Sequence, residues 1–214
     1  MSDRSAEART LARGASTLGV AVDATDIERA SRLLDELERW NRAYNLTSID
    51  ARSEMLTHHL LDSWAIAPFL HGTRIIDVGT GAGFPGLPLA ILAPDKNFTL
   101  LDSNGKKVRF VAHAARTLGL ANVEAVHARA ESHRVERPYD TVVARAFAAL
   151  PEMLRNIAGM CGADTRVLAM KGRRSETVRE GMPPGWQLER DVTLTIPGLD
   201  EERHVLVLHR APDA

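Results

Sequence analysis

The stretch RIIDVGTGAGFPGLPLAI, Arg74–Ile91, sets the tightest limit on what this chain can fold into. An apolar run ends at an acid, Asp77. It passes into glycines at 79, 81, 83 and 86, and then into an apolar segment headed by Pro85. Glycine admits positive φ and lets a ligand approach bare backbone. Proline suits the first turn of a helix. The pattern predicts a strand, a tight loop and a helix.

Four more short apolar runs follow at Phe98–Asp102, Val123–Val126, Thr141–Ala144 and Arg166–Met170. Helical stretches at 85–92, 106–118 and 150–160 separate most of them, with Gly119 placed as a C-cap. Strands alternating with helices predict a parallel sheet covered on both faces. The end of the chain differs. WQLERDVTLTI and RHVLVLHR are strand-like and only PGLDEE lies between them, so they should pair antiparallel at one edge. Residues 1–70 read as helices, with Thr25-x-x-Glu28 spaced as a capping box and Ile27, Ala30, Leu34, Leu37 and Trp40 at helical intervals. The expected fold is α/β: a doubly wound, mostly parallel, Rossmann-like sheet (71–214) with an N-terminal helical extension (1–70).

In such a sheet the ligand lies beyond the carboxyl ends of the strands, at the point where the strand order reverses. Two ligands compete for the glycine loop. Gly81-x-Gly83-x-x-Gly86 fits a dinucleotide such as NAD; S-adenosylmethionine uses the same turn. Asp77 favours the second. A carboxylate at the mouth of the site repels a pyrophosphate but suits an ammonium and a sulfonium. The alternative is that Asp77 only accepts N–H groups of the loop. Asp102 closes the second strand, where both nucleotide folds place a ribose-binding acid, and it also suits a helix N-cap. Ala130 and Glu131 follow the third strand, in position to flank an adenine.

Composition excludes several classes. A formal net charge of -1 over 214 residues is unlike a stand-alone nucleic-acid coat, so RNA contact must use local patches. The candidates are Lys106, Lys107 and Arg109; Arg129, Arg134 and Arg137; and Lys171, Arg173 and Arg174. The only cysteine, Cys161, permits no intrachain disulfide and fits a reducing, cytoplasmic setting. No run resembles a signal peptide's apolar core or spans a bilayer. His58-His59 has no third ligand nearby, so no metal is expected. The N/D-P-P-aromatic motif of amine-methylating enzymes is absent, and Cys161 is badly placed for covalent catalysis.

Several motifs in order carry a resemblance: WNRAYNLTSI (40–49), HHLLDS (58–63), DVGTGAGFPGLPLAI (77–91), LLDSNGKKVRF (100–110), ARAFA (144–148), MKG (170–172) and ERHVLV (202–207). In these the chain is similar to the bacterial small-subunit ribosomal RNA guanine-N7 methyltransferases, the glucose-inhibited division protein B family. The resemblance implies a class I methyltransferase fold, S-adenosylmethionine as donor, and a guanine of 16S ribosomal RNA as acceptor, within the small subunit or an assembly intermediate. It implies cofactor contacts from Gly79, Phe84, Asp102, Ala130, Glu131 and Arg145, and the glycine loop and strand-end pattern adds Asp77, Thr80, Gly81, Gly83 and Ser103 as expected contacts. The resemblance leads one to expect an aliphatic residue where Phe84 stands. No catalytic residue is assigned. Arg145 and Lys171 are positioning candidates, Arg145 for the cofactor, for guanine O6 or as a partner of Asp77, and Lys171 for a phosphate or as a solvated loop cation. Two other readings stay open on the residues alone: a methyltransferase acting on protein or a small molecule, and an NAD-dependent or non-catalytic nucleotide-binding protein.

Overall fold

The computed structural model describes residues 2–145, 149–172 and 182–211. Arg173, Arg174 and the end of the ARAFA motif lie outside them.

Seven strands form one sheet in the order β3-β2-β1-β4-β5-β7-β6. They are β1 Arg74–Val78, β2 Asn97–Asp102, β3 Val123–His127, β4 Tyr139–Arg145, β5 Cys161–Lys171, β6 Trp186–Leu194 and β7 Arg203–Arg210. β1 through β5 pair in parallel, while β7 runs antiparallel to both β5 and β6. The terminal hairpin sits at the edge, as its short polar connection requires. β5 starts at Cys161, earlier than the expected 166. Cys161 is therefore the first strand residue rather than a linker, and burial pushes its thiol up to about 12.

Alternate residues supply two cores. Ile75, Leu100, Val143, Leu168 and Val205 face one side; Ile76, Leu101, Val142, Val167 and Leu206 face the other. Burial on both faces explains the continuous apolar runs. The first side is covered by α5 (Gly86–Leu92), α6 (Gly105–Leu118) and the N-terminal helices, the second by α7 (Leu150–Ile157).

The N-terminal helices are α1 (Ser2–Thr17), α2 (Ala24–Tyr44), α3 (Arg52–Met55), a π-helical turn at Leu56–Leu61 and α4 (Asp62–Trp64). Their buried side chains, among them Leu11, Leu34, Leu60 and Trp64, belong to the same cluster as the sheet. Arg52 clamps Glu7 through Nε and Nη2 at 3.0 and 2.8 Å, tying α3 to α1. The capping box of α2 lies two residues earlier than the expected Thr25–Glu28. Asp23 accepts the Asp26 N–H at 2.8 Å, and Asp26 accepts the Asp23 N–H at 3.1 Å. Carboxylates supply both ends at the same three-residue spacing. Gly119 is the C-cap of α6 with φ 67°, as expected. Asn104, not Asp102, caps its N-terminus.

Candidate functional site: two pockets astride the strand-order reversal

The strand order reverses between β1 and β4, so the fold places a crevice there. The glycine loop leaves β1 at this point. Gly79, Gly81 and Gly83 all take positive φ, at 70°, 62° and 87°. The Gly79 and Thr80 N–H groups both donate to Leu101 O, at 2.8 and 3.0 Å, which moors the loop to β2.

Asp77 departs from its expected place. It is 1% exposed, beneath the loop rather than at the mouth of the site. Its Oδ2 accepts from Thr80 Oγ1 at 2.6 Å and from the Gly86 N–H at 2.8 Å. The reading in which it serves the loop is therefore the geometry seen, with one hydroxyl and one N–H as its donors. Its Oδ1 is buried and has no hydrogen-bond partner among the described residues. Burial, the largest influence, raises its pKa to about 6 against the hydrogen bonds and the Arg145 charge. Thr80 and Gly83 also face inward. Thr80 is spent on Asp77, and a Cβ on Gly83 would lie 2.3 Å from Leu87 Cδ1. Gly81 is different: a Cβ there would meet nothing closer than Lys107 Nζ at 4.0 Å.

On the β1–β2–β3 side lies a cleft of about 410 Å³, lined by Gly79, Asp102, Ser103, Ala130 and Glu131, the expected residues, and by Glu152 and Asn156 of α7, which were not expected. Asp102 Oδ2 accepts the Gly81 N–H at 2.9 Å and Oδ1 the Asn104 N–H at 2.7 Å, so one carboxylate holds the loop and the start of α6. Its lining of the cleft makes the remaining lone pairs available to hydroxyl donors. Glu152 and Asn156 are one turn apart on the polar face of a short amphipathic helix, and such a pair has no signature in sequence.

On the β4–β5–β7 side lies a second pocket of about 390 Å³. Arg145, Lys171 and Arg203 reach it from strand ends, and His58, His59 and Asp62 from the helical segment above. Phe84 of the glycine loop packs against this second side. Its ring stacks on His59 at 4.5 Å, and the Arg145 guanidinium lies over it at 5.8 Å. Arg145 does not pair with Asp77. It bonds Asp62 Oδ2 at 3.1 Å and His58 O at 2.8 Å, both through Nη1. Burial pushes His59 down to about 3, so the ring is neutral, with Nε2 on Thr47 Oγ1 at 3.2 Å. Burial also lowers Lys171. Asp62, Arg203 and His204 went unassigned from sequence. A lone acid within the apolar run Leu60-Leu61-Asp62 was the available signal. Among the described residues no group of three or more His, Cys, Asp or Glu side chains could hold a metal ion. No helix among them is long and apolar enough to cross a membrane.

The family model described as rRNA small subunit methyltransferase G, GidB, matches residues 26–206. The chain belongs to this family. Relatives named ribosomal RNA small subunit methyltransferase G include one from Pseudomonas aeruginosa, 45% identical over 94% of both chains. Another, from Shewanella amazonensis, is 43% identical over 95% of this chain and 99% of its own length. Among solved structures the fold is similar to a SAM-dependent methyltransferase from Aquifex aeolicus, with TM-score 0.57 and 18% identity over 77% of this chain and 97% of that one. It is also similar to magnesium protoporphyrin IX methyltransferase from Synechocystis, with TM-score 0.58 and 18% identity over 89% and 99%. The chain is an S-adenosylmethionine-dependent methyltransferase of class I fold.

The residues present suit that donor. The unpartnered Asp77 Oδ1 suits an ammonium and opposes a pyrophosphate. Asp102 borders the cleft where ribose hydroxyls would bond, and Gly81 leaves its loop face open.

Proposed function

We propose that this protein methylates N7 of a guanine in 16S ribosomal RNA, taking its substrate within the small subunit or an assembly intermediate, in the cytoplasm. The single observation that carries the reading is the pair of pockets on opposite sides of the β1/β4 reversal, with Phe84 of the glycine loop packed against His59 and Arg145 of the second. Adjacent strand ends stand about 5 Å apart, which brings donor and acceptor within reach of each other.

In this reading the β1–β2–β3 cleft is the donor site. Asp102 and Ser103 receive the ribose, Ala130 and Glu131 flank the adenine, and Gly79, Gly81 and Phe84 line the path to the reacting end. Thr80 and Gly83 act by shaping the loop, and Asp77 offers Oδ1 to the ammonium. When bound, S-adenosylmethionine supplies a methyl group activated on a sulfonium. The protein's work is to hold the acceptor in line with it. Guanine N7 has an in-plane lone pair and no proton, so no side chain need remove one. The second pocket agrees, because burial pushes His59, the ring stacked on Phe84, down to about 3 and so makes it a weak base. Arg145 and Lys171 suit the O6 edge or a phosphate rather than N7, whose lone pair must stay free.

Single-turnover transfer of labelled methyl to pre-bound RNA, with saturating donor, should be nearly flat from about pH 6.5 to 8.5. A general base titrating in that range would impose a tenfold rise per unit below its pKa. A steep profile would show that a proton leaves the acceptor, and would exclude N7.

A further inference from the structure

Asp62 is buried in the wall of the second pocket, yet it faces two cations carried by different strands. Oδ2 accepts from Arg145 Nη1 at 3.1 Å, at the end of β4, and Oδ1 lies 3.3 Å from Arg203 Nε, at the start of β7. β7 runs against β5, so its first residue falls at the same sheet edge as the last residues of β4 and β5. A buried carboxylate must be matched in charge or it costs several kcal/mol. Here one buried anion is matched by two cations, so the inner part of the cluster keeps positive charge.

That charge faces outward. The Asp62 side chain is 3% exposed, those of Arg145 and Arg203 23% and 18%. Arg145 uses only Nη1 on the protein. Its Nε and Nη2 make no hydrogen bond among the described residues. Glu201 pairs Arg203 at 2.8 Å but is 62% exposed, and a pair of that kind contributes little. Lys171 lines the same pocket, whose remaining wall includes the apolar Ile49, Met170 and Leu194. An apolar wall beside fixed guanidinium groups suits a base carrying a phosphate, since arginine's planar fork matches phosphate oxygens.

We infer that Asp62 is a positioning residue for the acceptor: it fixes Arg145 and Arg203 as a paired cation that takes the backbone phosphate of the nucleotide to be methylated. This rests on the ribosomal RNA reading above and adds how the acceptor is held. A plain structural ion pair fastening the helical segment to the sheet would have the same distances, so the test must separate the two.

Methylation is measured with small-subunit RNA varied at saturating S-adenosylmethionine, and donor affinity separately by calorimetry. Asp62→Asn should lower kcat/KM for RNA about tenfold or more while donor Kd stays within about threefold. Arg203→Gln should lower it about fivefold, through KM. The double variant should be no worse than Asp62→Asn alone, because both act through one unit. Wild-type kcat/KM in Asp62→Asn overturns the inference, as do a donor affinity that falls in step or effects that multiply in the double variant. If Asp62→Asn does not fold, Arg203→Lys decides, keeping the charge but losing the fork. A raised KM at unchanged kcat and Tm supports the inference, and a wild-type KM overturns it. A wild-type enzyme that leaves RNA unmethylated would instead remove the functional reading on which the inference stands.

Discussion

Asp77→Asn should make the donor-free protein more stable at neutral pH while weakening its grip on S-adenosylmethionine. The Asp77 carboxyl is 1% exposed and titrates at about 6 instead of 3.8, because burial penalises its charged form. An acid with a raised folded pKa loses stability as pH climbs from the unfolded value to the folded one, and the loss is complete above it. Over a window of that width the loss is about 3 kcal/mol at pH 7.5 and about half as much at pH 5. Asparagine fills the same space, can accept the Gly86 N–H and never ionises. The advantage of the variant over wild type in thermal melts should therefore shrink toward pH 4. Donor affinity should drop by about 1.5–3 kcal/mol, the scale of a hydrogen bond to a charged group. For the wild type, affinity should also fall below about pH 6, since the ammonium needs the ionised carboxylate. A variant that is less stable at pH 7.5 and binds the donor normally would reduce Asp77 to a strut for the loop.

Gly83→Ala should be the most damaging single-methyl change in the glycine loop. The residue has φ 87°, and its Cβ would stand 2.3 Å from Leu87 Cδ1 and 2.8 Å from Leu87 Cγ. Leu87 is fully buried, so it cannot swing aside into solvent. A left-handed backbone costs an L-residue about 1–2 kcal/mol and overpacking about 1–3 more, so a loss of about 2–5 kcal/mol is expected by chemical denaturation. Gly81→Ala has a similar φ of 62° but open space around it. It should cost only the backbone share, about 1–2 kcal/mol, and should act chiefly on donor affinity. Equal destabilisation by the two would mean that the loop is not packed as described.

These two glycines show where sequence stopped being informative. The spacing of glycines, the apolar runs and the helical periods located β1 to β5 and the antiparallel edge, because each is a local pattern with a fixed period. That Gly79, Asp102, Ser103, Ala130 and Glu131 share one cleft was legible for a related reason. Each lies at or just past a strand end, and a parallel sheet gathers its strand ends along one edge. Which glycine needs room for the protein and which leaves room for a ligand depends on Leu87 and Lys107, and no spacing rule contains them. Asp77 was placed at the mouth of the site because its burial is decided by the loop folding over it. Asp62 and Arg203 are far apart in sequence and meet only when the π-helical turn settles against β4 and β7. That acceptor side is built wholly by tertiary contact. The family motifs HHLLDS and ERHVLV marked it, and their periodicity did not reveal its purpose.

The most direct test of the account is the identity of the methylated base. Small ribosomal subunits, and their naked RNA, from a strain lacking this protein should be incubated with the purified enzyme and methyl-labelled S-adenosylmethionine. Nuclease digestion then identifies the nucleoside that carries the label. The expected product is 7-methylguanosine at a single position of the small-subunit RNA, missing from the strain and restored by the enzyme. Label on an exocyclic amine, a ribose or a pyrimidine, or no transfer to either form of the RNA, would contradict it.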